Sequence, residues 1–125
     1  MSDLEPISLI LTSVGTEQQA VEISEELILR RLATCVNMVP CQRSIYRWKG
    51  KVCEDTEYIL LVKAPTSLFE RVCDAIRELH SYELPEILSF SIDQAEKTFH
   101  EWILRMATGA SADEEEAEAE EPVEY

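Results

Sequence analysis

Two long arms, TCVNMVPCQRSIYRW from Thr34 and KVCEDTEYILLVKA from Lys51, meet at the dipeptide Lys49-Gly50. Glycine accepts the positive φ that a two-residue hairpin usually demands, so the dipeptide reads as a tight turn. That turn sets a register in which Trp48 faces Lys51 and Tyr46 faces Cys53. Pro40 has no amide proton to give to a ladder, so it marks an edge or a bulge and bends the ribbon. The arms are long for so small a chain, and everything else must be arranged around them.

The remaining segments carry their own periodicities. ISLILTSV, from Ile7, is a short apolar run rich in β-branched residues and closed by Gly15, which predicts a buried strand. From Thr16 the period changes. Ala20, Ile23, Leu27, Ile28 and Leu32 fall on one helical face, with Thr16 as N-cap and Gln19 three residues on, so an amphipathic helix is expected to end near Leu32. Leu68, Val72, Ala75, Ile76 and Leu79 predict a second helix from Thr66. ILSFSI predicts a fourth strand, and Ala95, Phe99, Trp102, Ile103 and Met106 a last helix. The order β-α-β-β-α-β plus a C-terminal helix is that of the ferredoxin-like split βαβ fold. The expected class is therefore α+β, an antiparallel sheet with two helices on one face.

At 125 residues, 14.3 kDa and 46% hydrophobic residues, the chain can bury one core. Its formal net charge is −14, but eight of the 25 acidic residues lie between Asp113 and Glu124, which leaves 17 acidic against 11 basic groups elsewhere. The segment DEEEAEAEEPVEY has too few apolar groups to offset the entropy of ordering it, which predicts disorder. It serves as a solubilising tail or as a loose collector of cations; carboxylates bind hard cations weakly unless a fold converges them. No basic patch stands out, so no nucleic-acid partner is expected. The N-terminal stretch lacks a basic n-region, and no run approaches the length of a membrane span, so a soluble cytoplasmic protein with no membrane partner is expected. Cys35, Cys41, Cys53 and Cys73 lack CxxC or CxxH spacing and are expected as thiols in a reducing compartment.

A four-stranded sheet with helices on one side leaves its other face open. Met38, Tyr46 and Trp48 are more apolar surface than a monomer can hide there, and long hairpin arms leave edge backbone unpaired. Homo-oligomerisation follows from these features.

The stretch HSYELPEI, His80 to Ile87, gathers a histidine, a tyrosine, two carboxylates and a proline into one short connection. Together with LATCVNMVP, SIYRWKGKV and TEYILLVKA, it closely resembles the CutA family, the divalent cation tolerance proteins, from about Ile7 to Met106. The resemblance implies residues 1–110 as one CutA-like domain followed by the acidic tail, 111–125. It implies a homotrimer assembled through β-ribbons, an architecture similar to the PII signalling proteins, copper binding, a role in metal tolerance, and no settled enzyme activity. In this chain Ser81 stands where the family usually has proline, Cys41 follows the ribbon proline where glycine is common, and Leu79 precedes His80.

The resemblance points to Cys35 and His80 as copper ligands, and thiolate and imidazole are the donor types copper accepts. Two ligands make a weak site unless neighbouring chains add more. The plainer roles are a small buried hydrophobe for Cys35 and a helix C-terminal capping group for His80. The resemblance also places Tyr46, Trp48, Glu57, Lys63, Tyr82 and Glu86 near clefts between subunits. A buried Lys63–Glu57 pair beside aromatics would recognise a small anion or hold the interface together. Nothing in the sequence sets a nucleophile beside its base, so no enzyme is expected. Three functions stay open: a trimeric copper and divalent-metal tolerance protein, a PII-like sensor with a small ligand in intersubunit clefts, and a structural trimer that anchors partners.

Overall fold

Alternation along the strands decides where the core lies. A computed structural model describes residues 4–107, and the acidic tail expected at 111–125 lies outside them. In chain order the elements are β1 (Ile7–Val14), α1 (Glu17–Leu29), β2 (Cys35–Trp48), β3 (Lys51–Pro65), α2 (Phe69–Leu79, after a 3-10 turn Thr66–Leu68), β4 (Ile87–Ser91) and α3 (Lys97–Ala107). The sheet is antiparallel in the order β2-β3-β1-β4. This is the ferredoxin-like α+β fold that the sequence predicts.

Ile10, Val14, Leu60, Val62 and Ala64 point to one side of the sheet and are fully buried against Ala20, Ile23 and Leu27 of α1 and Val72 and Ile76 of α2. Because side chains alternate, the intervening residues face the other way. There Phe90, Leu9 and Lys63 form one cross-strand row, and Leu88, Leu11 and Leu61 the next. Leu88 is 46% and Phe90 50% exposed, so the chain by itself leaves this side partly uncovered.

Local chemistry ends α1 earlier than the apolar stripe does. The Thr16 hydroxyl accepts the Gln19 amide at 3.1 Å, the expected N-cap. At the other end Leu32 N–H bonds to Leu27 O and Arg31 N–H to Ile28 O, while Arg31 turns left-handed at φ 56°. These are the two bonds of a Schellman close. The helix therefore stops at Leu29, and Leu32 packs as part of the exit rather than of the helix.

The hairpin turn has positive φ at both Lys49 (49°) and Gly50 (78°), the signature of a type I′ turn. Trp48 faces Lys51 and Tyr46 faces Cys53, as the dipeptide predicts. Just after Pro40, between Cys41 and Ser44, β2 carries one extra residue relative to β3. The bulge shifts the parity of the strand. Before it, even-numbered Val36 and Met38 lie opposite Val62 and Leu60 on the helix side; after it, Ser44, Tyr46 and Trp48 lie opposite Asp55, Cys53 and Lys51, on the open side. Met38, 43% exposed, therefore belongs to the helix side of an edge strand and not to the open face where the sequence placed it.

The terminal helix is fastened to distant backbone. Thr34 Oγ1 donates to Ile103 O at 2.7 Å, Arg31 Nη1 to Met106 O at 3.0 Å, and His100 Nε2 to Glu5 O at 2.7 Å. Among the described residues no helix is long and apolar enough to cross a membrane.

Candidate functional site

The distal ribbon and the connection after α2 enclose a groove of about 760 Å³. Its walls include Tyr46 and Trp48 from β2, Glu57 from β3, and Tyr82 and Glu86 from the connection. Five of the six residues assigned to the cleft by resemblance thus meet in one place. Arg47, Glu83 and Leu84 complete much of the rim.

Glu57 is the innermost charge, 6% exposed, and the Tyr82 hydroxyl donates to its Oε2 at 2.9 Å. The approach of that hydroxyl depends on Gly15, where an added Cβ would stand 3.0 Å from Tyr82 Oη. Burial, and then the bond to Glu57, pushes the Tyr82 phenol well above the ordinary tyrosine range. Tyr46 Oη donates to Asp55 Oδ2, and that bond, more than its desolvation, pushes Tyr46 up to about 12. Ser13 Oγ donates to Glu86 Oε2 at 3.2 Å. Three hydroxyls in and around the groove therefore aim their protons at three carboxylates.

Lys63 is the exception. It lies six residues from Glu57 on the same strand, about 20 Å away, so within one chain the two do not pair. Its Nζ instead donates to Asn37 Oδ1 and lies 3.8 Å from Cys35 Sγ. Among the described residues of one chain the groove is consequently acidic and aromatic, with Arg47 as the one basic residue on its wall.

His80, 8% exposed, is the cap of α2 and the hinge of the connection. Its Nε2 donates to Ser13 O at 2.7 Å, and its Nδ1 accepts the Tyr82 amide at 3.0 Å. Both ring nitrogens are engaged, and the ring packs 4.6 Å from that of Tyr82. His80 thereby presents Tyr82 to Glu57. Gln19 supports the same connection: its Nε2 donates to Leu79 O at 3.3 Å and its Oε1 accepts the Ser81 hydroxyl at 2.9 Å.

Cys35 shares a cross-strand row with Lys63 and Leu9, whereas Ser13, which holds His80, is four residues further along β1, about 13 Å. Within one chain the two residues are not brought together. Among the described residues no three His, Cys, Asp or Glu side chains converge to hold a metal ion. All four cysteines are thiols, with Cys73 buried and the other three half-buried.

Asp55 and Ser13 carry no signal of the groove in the sequence, and Gly15 reads there only as the end of the first strand. Asp55 is reached only through the hairpin register, which makes it the diagonal neighbour of Tyr46. Ser13 and Gly15 meet the connection across more than sixty residues of chain, and no local pattern signals that.

The architecture defines a ferredoxin-like protein with an extended ribbon and an acid-lined groove between the distal part of that ribbon and the connection after α2. The CutA1 divalent ion tolerance family matches residues 8–106, and the chain belongs to that family. It is 42% identical over 101 residues to the divalent-cation tolerance protein CutA of Thermus thermophilus, covering 81% of this chain and 97% of that one. The human protein CutA is 32% identical over 105 residues, covering 84% of this chain and 59% of the human one. Among solved structures, CutA1 from Oryza sativa superposes with a TM-score of 0.81 at 30% identity, covering 88% of this chain and all of that one. The Thermus thermophilus divalent cation tolerance protein gives 0.77 at 38% identity, with 79% and 96% covered.

Proposed function

We propose that this chain acts in divalent metal tolerance as a cytoplasmic homotrimer that binds copper weakly and catalyses no reaction. Family membership supports the metal-tolerance role. The observation that carries the assembly is the uncovered side of the sheet, where Leu9, Leu11, Leu61, Leu88 and Phe90 form continuous apolar rows. Burying such rows against other copies is strongly favourable, at about 25 cal/mol per Å² of apolar area. Light scattering of the full chain should return three times 14.3 kDa. A single-chain mass at micromolar concentration would overturn the trimer.

Copper shared by Cys35 and His80 takes the two residues from different subunits, since the strand rows separate them within one. The Lys63 ammonium beside Cys35 opposes a cation, and His80 must release Ser13 or Tyr82 before it can coordinate. Both features make the affinity weak. Calorimetric copper titration of wild type, His80→Ala and Cys35→Ser tests the site, and equal binding by all three would remove it.

A second reading is favoured by the groove: a PII-like trimer that senses a small ligand at Tyr46, Trp48, Glu57, Tyr82 and Glu86.

A further inference from the structure

We propose that the groove binds a small aliphatic cation carrying two ammonium groups. The inference rests on the second reading, the groove as a ligand site, and names the chemistry of its ligand.

Charge comes first. Among the described residues of one chain, Glu57, Glu83 and Glu86 line the groove against Arg47, which leaves an excess of two negative charges. Within one chain Lys63, the group that would suit an anion, is on the far part of the strand, bonded to Asn37. Hydrogen-bond polarity points the same way. The protons of Tyr82, Ser13 and Tyr46 are already given to Glu57, Glu86 and Asp55, so these hydroxyls offer a ligand only lone pairs. Apart from Arg47 the wall accepts hydrogen bonds and has few to donate, which suits N–H donors and disfavours a carboxylate or phosphate.

Two further observations separate an organic cation from a bare ion. No three carboxylate, imidazole or thiol groups among the described residues converge tightly enough for a metal ion, whereas the carboxylates here are spread around about 760 Å³. The intervening wall is aromatic, and an aromatic face attracts an alkylammonium while its methylenes pack on the ring. Trp48 already has such a group over it: Lys49 Nζ sits 5.9 Å from the ring centroid. Glu57 supplies the anchor. It is 6% exposed, and its one hydrogen bond among the described residues is the Tyr82 contact at Oε2. Its Oε1 has no partner there and is not sealed from solvent, so it is open to a cation that enters the groove.

The test uses the full-length chain with Trp102→Phe, so that fluorescence reports Trp48. Titration with putrescine should give a saturable change, and butanediol, of similar length and without charge, should give none. Glu57→Gln keeps an acceptor for Tyr82 and so keeps the fold, checked by circular dichroism; it should weaken putrescine at least about tenfold, or about 1.4 kcal/mol. Glu22→Gln, on the exposed face of α1, should bind like the parent. Equal affinity in the Glu57→Gln variant, or an equal response to butanediol, overturns the proposal. A parallel titration with inorganic phosphate separates the two levels of inference. A response to phosphate and none to putrescine overturns the cation while leaving the groove a ligand site, and silence with both overturns both.

Discussion

The ribbon of β2 and β3 is built from one pair of strands, yet its two halves behave differently on either side of the bulge. On the sheet side, Val36, Leu60 and Val62 pack under α1 and α2, and alternate residues are fully buried. Beyond Ser44 the same ladder continues to the turn, but Ile45, Tyr46, Trp48 and Val52 are all exposed. Backbone pairing is common to both halves; what differs is whether helices cover a face. The covered half supplies stability to the subunit. The uncovered half presents aromatics and carboxylates, the materials of a groove and an interface.

The sharpest way to break this contrast is a cavity in the covered half. Leu60→Ala should lower the free energy of unfolding by about 2–5 kcal/mol, read as a fall in the urea midpoint at unchanged m-value. A loss no larger than that of Val52→Ala would mean that the two halves are not distinct. Next in size is the seam between ribbon and connection. Tyr82→Phe removes the donor from buried Glu57 and should cost about 1–3 kcal/mol, whereas Tyr46→Phe, whose partner Asp55 is exposed, should leave the midpoint nearly unchanged.

Left-handed backbone at the tip predicts a smaller effect. Gly50→Ala places a Cβ at φ 78° with open space around it, so the cost is conformational, about 1 kcal/mol. Smaller still near neutrality is the response to pH, which becomes visible only in alkali. Tyr46 and Tyr82 hold their protons more firmly in the folded chain than in the unfolded one. Their contribution is whole below the ordinary phenol value of about 10. It is lost as pH climbs through about 12, the value to which Tyr46 is pushed. Absorbance of tyrosinate should show these two side chains ionising late, and Glu57→Gln should advance Tyr82.

Every element of the fold was legible because each segment has its own period, and the ribbon register followed from a two-residue turn. The groove was legible in part. Within one chain Tyr46, Trp48, Glu57, Tyr82 and Glu86 do meet, and Lys63 stands apart. The sequence shows that Glu57 and Lys63 share a strand face, yet the rise of a strand puts them too far apart to pair within one chain. Met38 was misplaced for a related reason. Pro40 signals a disturbance of the ladder without revealing that one extra residue follows it, and a single residue is enough to exchange the faces. The engagement of both His80 nitrogens depends on Ser13, 67 positions away, and no periodicity carries that information.

The fastening of α3 has a consequence for how the chain is made. Thr34 and Arg31 emerge from a ribosome long before Ile103 and Met106, whose carbonyls they bind. Until the last helix is synthesised those donors are satisfied by water, and the beginning of β2 is held through the Thr34 amide on Lys63 O and the ladder to β3. Closing contacts of 69 and 75 residues' separation is entropically slow compared with forming either helix. A nascent chain therefore completes its native subunit only once α3 has been synthesised.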